Sequence, residues 1–160
     1  MFDEFMGLPA HPVLVHAAVV FVPLLAVVGI VYGFVPRART RIGWAAVLLA
    51  VAAPVSALFS KISGEALEER LITAGYGQEI LDKVNEHQAY GDLTFWFSLA
   101  LAIATGALVF LTTRGERGPH VPAWVPTVLA VLVTILGVVT MIYVYLTGET
   151  GAQAVWSGVV

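Results

Sequence analysis

Three histidines lie beside apolar segments, where an imidazole could act as a ligand. His11 and His16 belong to the motif His-Pro-Val-Leu-Val-His, which leads into a long uncharged run, and His87 precedes another such run. Neutral imidazole binds transition metals, and histidine also exchanges protons near neutral pH. The chain has no Cys, which excludes disulfides, thiolate metal sites, iron–sulfur clusters and covalent haem attachment. Redox or metal chemistry here would therefore depend on imidazoles and carboxylates.

The composition is that of an integral membrane protein. Of the 160 residues, 59% are hydrophobic and only 12% are charged, whereas about a quarter of residues are charged in soluble domains. The length suits one membrane domain over residues 1–160, with the lipid bilayer as its main partner. Eight Lys and Arg residues are scattered along the chain without forming a basic patch, so nucleic acid is not expected as a ligand.

Four uncharged runs are long enough to cross a hydrocarbon core, which takes about 20 residues of helix. The predicted fold is an all-α bundle of four transmembrane helices at about 12–35, 42–62, 93–113 and 123–147. The polar segment 63–92 is predicted to form an amphipathic helical hairpin on the outer face, made of two short helices broken at Gly75-Tyr76-Gly77.

Basic residues set the predicted orientation, because Lys and Arg near helix ends stay on the cytoplasmic side. Five Arg residues lie in the two short loops after the first and third helices. The opposite side carries three basic residues against ten acids. A multi-pass protein with both termini outside is therefore predicted.

The chain also contains the outline of an internal repeat. His11 and His87, each opening an odd-numbered helix, are 76 residues apart. After an insertion of eight residues, Ser-Gly-Glu-Ala at 63–66 corresponds to Thr-Gly-Glu-Thr at 147–150. Two pseudo-repeated helix pairs are predicted, with an axis along the membrane normal. The repeat would collect at the outer end of the bundle the residues His11, His87, Glu65 and Glu149.

These features resemble the bacterial family called domain of unknown function 2231. The matching residues are His11, Pro12, Val15, His16, Gly64, His87, Gly148, Gly151, Val155 and Trp156. The chain departs from the family pattern at Ala17-Ala18 and in the tail Gly-Ala-Gln-Ala-Val-Trp. The resemblance implies a four-helix protein of the bacterial cytoplasmic membrane without an assigned activity. Relatives fused to cytochrome or Rieske-type modules imply a redox or respiratory membrane partner and a b-type haem.

A haem b in a helical bundle needs two imidazoles on facing helices. His11 and His16 are five residues apart, hence about 140° around a helix, and cannot share one ligand direction. Because His11 precedes Pro12, it is predicted at the N-cap. The favoured axial ligands are therefore His16 and His87, with His11 nearby as a further cofactor-binding residue.

Other readings of the same residues stay open. A zinc, copper or iron site would use His11, His16, His87, Glu65 and Glu149, although no single helix has the usual ligand spacing. Quinone or proton handling would use His16 with one of the two glutamates. Alternatively, the histidines are interfacial polar residues of a non-catalytic accessory or assembly protein. The residues name no substrate, so no independent enzymatic activity is expected, and a homodimer is left open.

Overall fold

The computed structural model describes residues 4–5, 8–113 and 121–156. In these residues it contains two short antiparallel strands, β1 (Glu4–Phe5) and β2 (Leu8–Pro9). Four long helices follow: α1 (Ala10–Phe34), α2 (Pro36–Thr73), α3 (Gln78–Thr113) and α4 (Trp124–Trp156). Each is long and apolar enough to cross a membrane. The prediction of an all-α four-helix membrane bundle is confirmed.

The helices form a ring in chain order. α1 packs along α2 and α4, α3 packs along the same two helices, and α1 and α3 are diagonal to each other. Small residues at the contacts let the backbones of neighbouring membrane helices approach each other closely. A Cβ atom placed on Gly29 of α1 would lie 3.0 Å from both Thr105 Oγ1 and Val133 Cγ1. A Cβ on Gly137 of α4 would lie 3.5 Å from that of Ala26.

α2 and α3 extend beyond the membrane on one side. They contain 38 and 36 residues, hence lengths of about 57 and 54 Å, against a hydrocarbon thickness of about 30 Å. The predicted hairpin is present, but it does not consist of two separate short helices. Its two arms are the end of α2 and the start of α3, and each arm continues from its membrane span without a break. The turn was predicted correctly: the chain reverses at residues 74–77, where Gly75 has a φ of 77°.

At the opposite end, only Val35 separates α1 from α2. Arg39 stabilises this sharp connection by donating from Nε to the Tyr32 carbonyl oxygen at 3.0 Å and from Nη2 to that of Gly33 at 2.8 Å. These two bonds satisfy carbonyl groups that the end of a helix leaves without an intrahelical partner. Tyr32 is buried, and its hydroxyl lies 2.7 Å from the Thr112 Oγ1 atom of α3. The three helices are thus tied together there.

The two helix pairs repeat each other in detail. Seven of the eight buried residues of α1 have a buried counterpart 76 residues later in α3. The pairs are Ala18 and Thr94, Val22 and Ser98, Leu25 and Leu101, Ala26 and Ala102, Gly29 and Thr105, Tyr32 and Leu108, and Gly33 and Val109. The structure therefore supports an approximate twofold rotation that relates α1 and α2 to α3 and α4.

The predicted register of the second helix in each pair needs a correction. The sequence pattern aligned Ser63 with Thr147, whereas the contacts described below align Ser60 with Thr147 and Ser63 with Thr150. The insertion is therefore eleven residues long, three more than the pattern indicated. The pattern misled because Ser/Thr-Gly recurs one helical turn later in α4, at Thr150-Gly151.

Candidate functional site

His11 is bound by α2 at the level of Ser60 and Ser63, well before that helix ends at Thr73. The Nδ1–H group of His11 donates to the Ser60 carbonyl oxygen at 3.0 Å, and Ser63 Oγ lies 3.2 Å from the same nitrogen. Because a carbonyl oxygen only accepts hydrogen bonds, the neutral ring carries its proton on Nδ1. Its Nε2 atom is left with a free lone pair. His11 also lies in the first turn of α1, which begins at Ala10. The predicted N-cap position was wrong, because Pro12 is tolerated where amide groups lack intrahelical acceptors.

His87 makes the same contacts with the end of α4. Its Nδ1–H group donates to the Thr147 carbonyl oxygen at 2.9 Å, and Thr150 Oγ1 lies 3.4 Å away. The Thr150 hydroxyl itself donates to the carbonyl oxygen of Leu146 at 2.9 Å. His87 therefore also presents an unprotonated Nε2 atom. We call the end of the bundle that contains His11 and His87 the histidine end.

The two imidazoles meet across the centre of the histidine end. Their ring centroids are 5.9 Å apart and the ring planes are inclined at 80°. Both side chains are half-buried. Since α1 and α3 are diagonal to each other, the contact lies where the approximate twofold axis passes through the bundle. The structure thus holds two imidazoles in contact with their planes nearly perpendicular, and each is fixed through Nδ1.

Glycine is required beside each ring. A Cβ atom on Gly64 would lie 3.1 Å from Cε1 of His11, and one on Gly151 would lie 2.9 Å from Cε1 of His87. Distances this short force the neighbouring atoms to move. Both glycines directly follow the hydroxyl residue that contacts the ring. The absence of a side chain at Gly64 and Gly151 therefore lets α2 and α4 pack directly against the two rings.

His16 lies apart from this pair. Its side chain is exposed, and its Nδ1–H group donates to the carbonyl oxygen of Pro12 on its own helix. The ring that faces His87 is that of His11. Of the two histidines in the motif, the structure therefore pairs the first with α3, whereas the sequence analysis favoured the second.

The predicted acids are not gathered around the histidines. Glu65 is exposed and lies 2.7 Å from Lys61 Nζ, which also lies 2.6 Å from Asp92 Oδ1. Glu149 is exposed, and Gln153 Nε2 lies 3.4 Å from its Oε1 atom. Among the residues that the structure describes, no group of three or more His, Asp or Glu side chains has a metal-binding arrangement.

The hydroxyl residues that fix the two rings were not predicted from the sequence. Ser60-Lys-Ile-Ser63-Gly64 and Thr147-Gly-Glu-Thr150-Gly151 share the pattern Ser/Thr-x-x-Ser/Thr-Gly. Residues three and four apart lie on one face of a helix, so this pattern places both hydroxyls and the glycine toward one neighbour. Searching each half of the repeat for this pattern would have found the site and the correct register.

Comparison with known proteins gives one family match. The model of a family described as "Predicted membrane protein (DUF2231)" matches residues 7–160. No curated protein and no solved structure matches the chain. The match covers α1 to α4 and therefore includes both histidines and both glycine-containing patterns.

Proposed function

Since the chain belongs to the DUF2231 family of predicted membrane proteins, we propose that it is a redox-associated membrane subunit that binds a b-type haem between His11 and His87. It is an integral multi-pass membrane protein. The proposal places it in the bacterial cytoplasmic membrane with both termini outside, next to a redox or respiratory partner. It replaces the His16 ligand of the sequence analysis by His11 and keeps His87.

The separation of the two rings carries the proposal. His11 and His87 would hold the iron, because two imidazoles can bind one metal only if their rings lie close together, each coordinating nitrogen being about 2 Å from the metal. The rings of His11 and His87 have centroids 5.9 Å apart. Cofactor sites in helical bundles are built from side chains on facing helices, as His11 of α1 and His87 of α3 are here.

The donor set also fits haem better than a bare metal ion. A haem would need no side chains other than His11 and His87 to hold its iron, because the porphyrin supplies the remaining nitrogen ligands. Protein-bound zinc needs at least three side-chain ligands, and non-haem iron commonly has two histidines and a carboxylate. Glu65 and Glu149 bond elsewhere. A site made of His11, His16, His87, Glu65 and Glu149 is therefore not favoured.

The contacts of each Nδ1 atom are those expected of a haem or metal ligand. Ligating histidines commonly donate their other ring N–H to a backbone carbonyl, which fixes the tautomer and makes the ligating nitrogen more basic. The carbonyl oxygens of Ser60 and Thr147 accept these protons. A bound haem would supply one-electron transfer. The chain itself contributes the orientation of the two rings, which the hydrogen bonds to α2 and α4 fix.

The test is a visible absorption spectrum of the purified protein in detergent, oxidised and then reduced with dithionite, after expression with added haem precursor. We expect a Soret band with sharp α and β bands on reduction. His11→Ala and His87→Ala should each lose this low-spin spectrum. His16→Ala is the matched control, because His16 is exposed five residues from His11, and it should keep the spectrum. A colourless wild-type protein, or equal loss in all three variants, would refute the proposal.

The alternative is a non-catalytic accessory or assembly protein. One observation favours it: the bonds from His11 to Ser60 and from His87 to Thr147 also join α1 to α2 and α3 to α4. In that case the rings act only as links between helices, and the wild-type protein is colourless. His11→Ala and His87→Ala would then lower its melting temperature. Metal analysis of the same samples tests the zinc, copper and iron readings.

A further inference from the structure

The three arginines at the start of α2 differ in what they contact. Arg39 binds the carbonyl oxygens of Tyr32 and Gly33, and its guanidinium carbon lies 5.7 Å from the centre of the Tyr32 ring. Arg37 and Arg41 are exposed, and neither makes an ion pair or a side-chain hydrogen bond within the part of the chain that the structure describes. The described residues therefore offer these two guanidinium groups no anion.

Arg37 and Arg41 begin a continuous exposed stripe along α2. Its members follow one another at intervals of three or four residues, which places them on one face of a helix. From the start of the helix inward, the exposed residues of the stripe are Arg37, Arg41, Trp44, Leu48, Val51 and Val55. The stripe thus changes from basic to aromatic and then to apolar along the membrane span.

The dimensions of the stripe match those of one phospholipid molecule. Val55 lies about 16 Å from Trp44 along the helix axis, close to half of a hydrocarbon thickness of about 30 Å, hence to the depth of one leaflet. Tryptophan is enriched at the boundary between hydrocarbon and head groups. Arg41 and Arg37 lie about 5 Å and about 10 Å beyond Trp44 on the head-group side. A lipid lying along the stripe would therefore bring its phosphate beside two arginines.

The second half of the repeat has an equivalent stripe without arginines. The offset of 87 residues that aligns Ser60 with Thr147 gives its positions in α4. The counterparts, all six of them exposed, are Trp124, Val128, Val131, Ile135, Val138 and Ile142. Trp124 stands in place of Arg37, and Val128 stands in place of Arg41. An exposed stripe of this kind therefore forms without basic residues, so the packing of the bundle does not account for the two arginines.

The charges around this end of the bundle favour an anionic ligand. The ranges 10–64, 93–113 and 121–148 contain no Asp or Glu residue. Guanidinium groups bind phosphate through charge-assisted and often bidentate hydrogen bonds. A zwitterionic head group carries its own cation next to the phosphate, which competes with the arginines, whereas an anionic head group carries none. Basic side chains at the membrane surface accordingly attract anionic lipids.

We propose that Arg37, Arg41 and Trp44 form a binding site for one anionic phospholipid, with its phosphate between the two guanidinium groups and an acyl chain along α2. The inference goes beyond the haem site and is independent of it, because His11 and His87 meet at the opposite end of the bundle. It is also independent of the orientation in the membrane, since all of these residues belong to one helix.

The test is native mass spectrometry of the purified, delipidated protein in detergent, titrated with phosphatidylglycerol and, separately, with phosphatidylcholine. We expect one phosphatidylglycerol molecule to bind about thirtyfold more tightly than phosphatidylcholine, which corresponds to about 1 kcal/mol for each arginine. Arg37→Gln and Arg41→Gln should each reduce this preference about fivefold, and the double variant should abolish it.

Two further double variants separate the site from a general effect of charge. Arg70→Gln with Lys83→Gln removes two positive charges from the other end of the bundle and should keep the full preference. Arg37→Lys with Arg41→Lys retains both charges at the site and should keep most of it. Equal binding of the two lipids by the wild-type protein would mean that the arginines only set the orientation in the membrane, and it would overturn the proposal. So would an equal loss in the Arg70 and Lys83 control, or lysine and glutamine variants that behave alike.

Discussion

The ring of His11 meets the ring of His87 edge to face, with centroids 5.9 Å apart, although the residues are separated by 76 positions. The contact follows from the repeat, because a side chain that points toward an approximate twofold axis meets its own counterpart. One histidine in a two-helix unit thus becomes two opposed imidazoles in the four-helix bundle. The repeat thus supplies a pair of neighbouring imidazoles without a second motif on either helix.

Gly151→Ala should destabilise the protein. The added Cβ would lie 2.9 Å from Cε1 and 3.1 Å from Nδ1 of His87, so the rigid ring would have to tilt away from Thr147. Overpacking of this kind costs about 1–3 kcal/mol, partly offset by the gain of about 1 kcal/mol when Ala replaces Gly in a helix. We expect a net loss of about 1 kcal/mol in the free energy of unfolding, measured by titration with SDS.

Gly148→Ala is the control for this prediction. It lies on the same helix three residues earlier, and its new Cβ would meet none of the described residues within 4 Å. Only the helix propensity changes, so the protein should gain up to about 1 kcal/mol. A loss of equal size in both variants would show that the effect comes from the helix backbone and not from the contact with His87.

The positions of the spans could be predicted from the sequence because bilayer thickness fixes the length of an apolar run. The continuation of α2 and α3 beyond the membrane could not, since a polar amphipathic stretch is compatible with both a continuous and a broken helix. The choice between His11 and His16 depended on where α1 begins. α1 begins at Ala10, two residues before the predicted start, so His11 lies inside the first turn. Two residues correspond to about 200° of rotation around a helix.

Thr105→Val should stabilise the protein. Thr105 is fully buried, and its Oγ1 atom has no hydrogen-bond partner among the residues that the structure describes. A buried hydroxyl without a partner costs about 1–3 kcal/mol, and valine has nearly the same shape. We expect a gain of about 1 kcal/mol. Thr140→Val is the matched control, because Thr140 is equally buried but its hydroxyl donates to the Leu136 carbonyl oxygen at 2.6 Å. A gain in the control, or none at Thr105, would contradict this reading of the core.

Asp92→Asn should weaken the α2–α3 interface more than Glu65→Gln does. Both carboxylates bind Lys61, but Asp92 lies on a different helix from the lysine, whereas Glu65 lies four residues away on the same helix. The side chains of Lys61 and Asp92 are 27% and 47% exposed, so the pair is worth about 0.5–1 kcal/mol and should weaken in high salt. Melting temperatures at low and high ionic strength provide the measurement. Equal shifts for both variants would show that the bridge between helices adds nothing.

Thr73→Cys and Thr40→Cys should report opposite sides of the membrane. The chain has no Cys of its own, so a single added thiol is the sole site for a maleimide. Both threonines are exposed, Thr73 at the end of α2 beside the turn and Thr40 near its start among three arginines. Because basic residues stay inside, a membrane-impermeant maleimide should label Thr73→Cys in intact cells and Thr40→Cys only after permeabilisation. The reverse pattern would put the histidine end in the cytoplasm and would refute the predicted orientation.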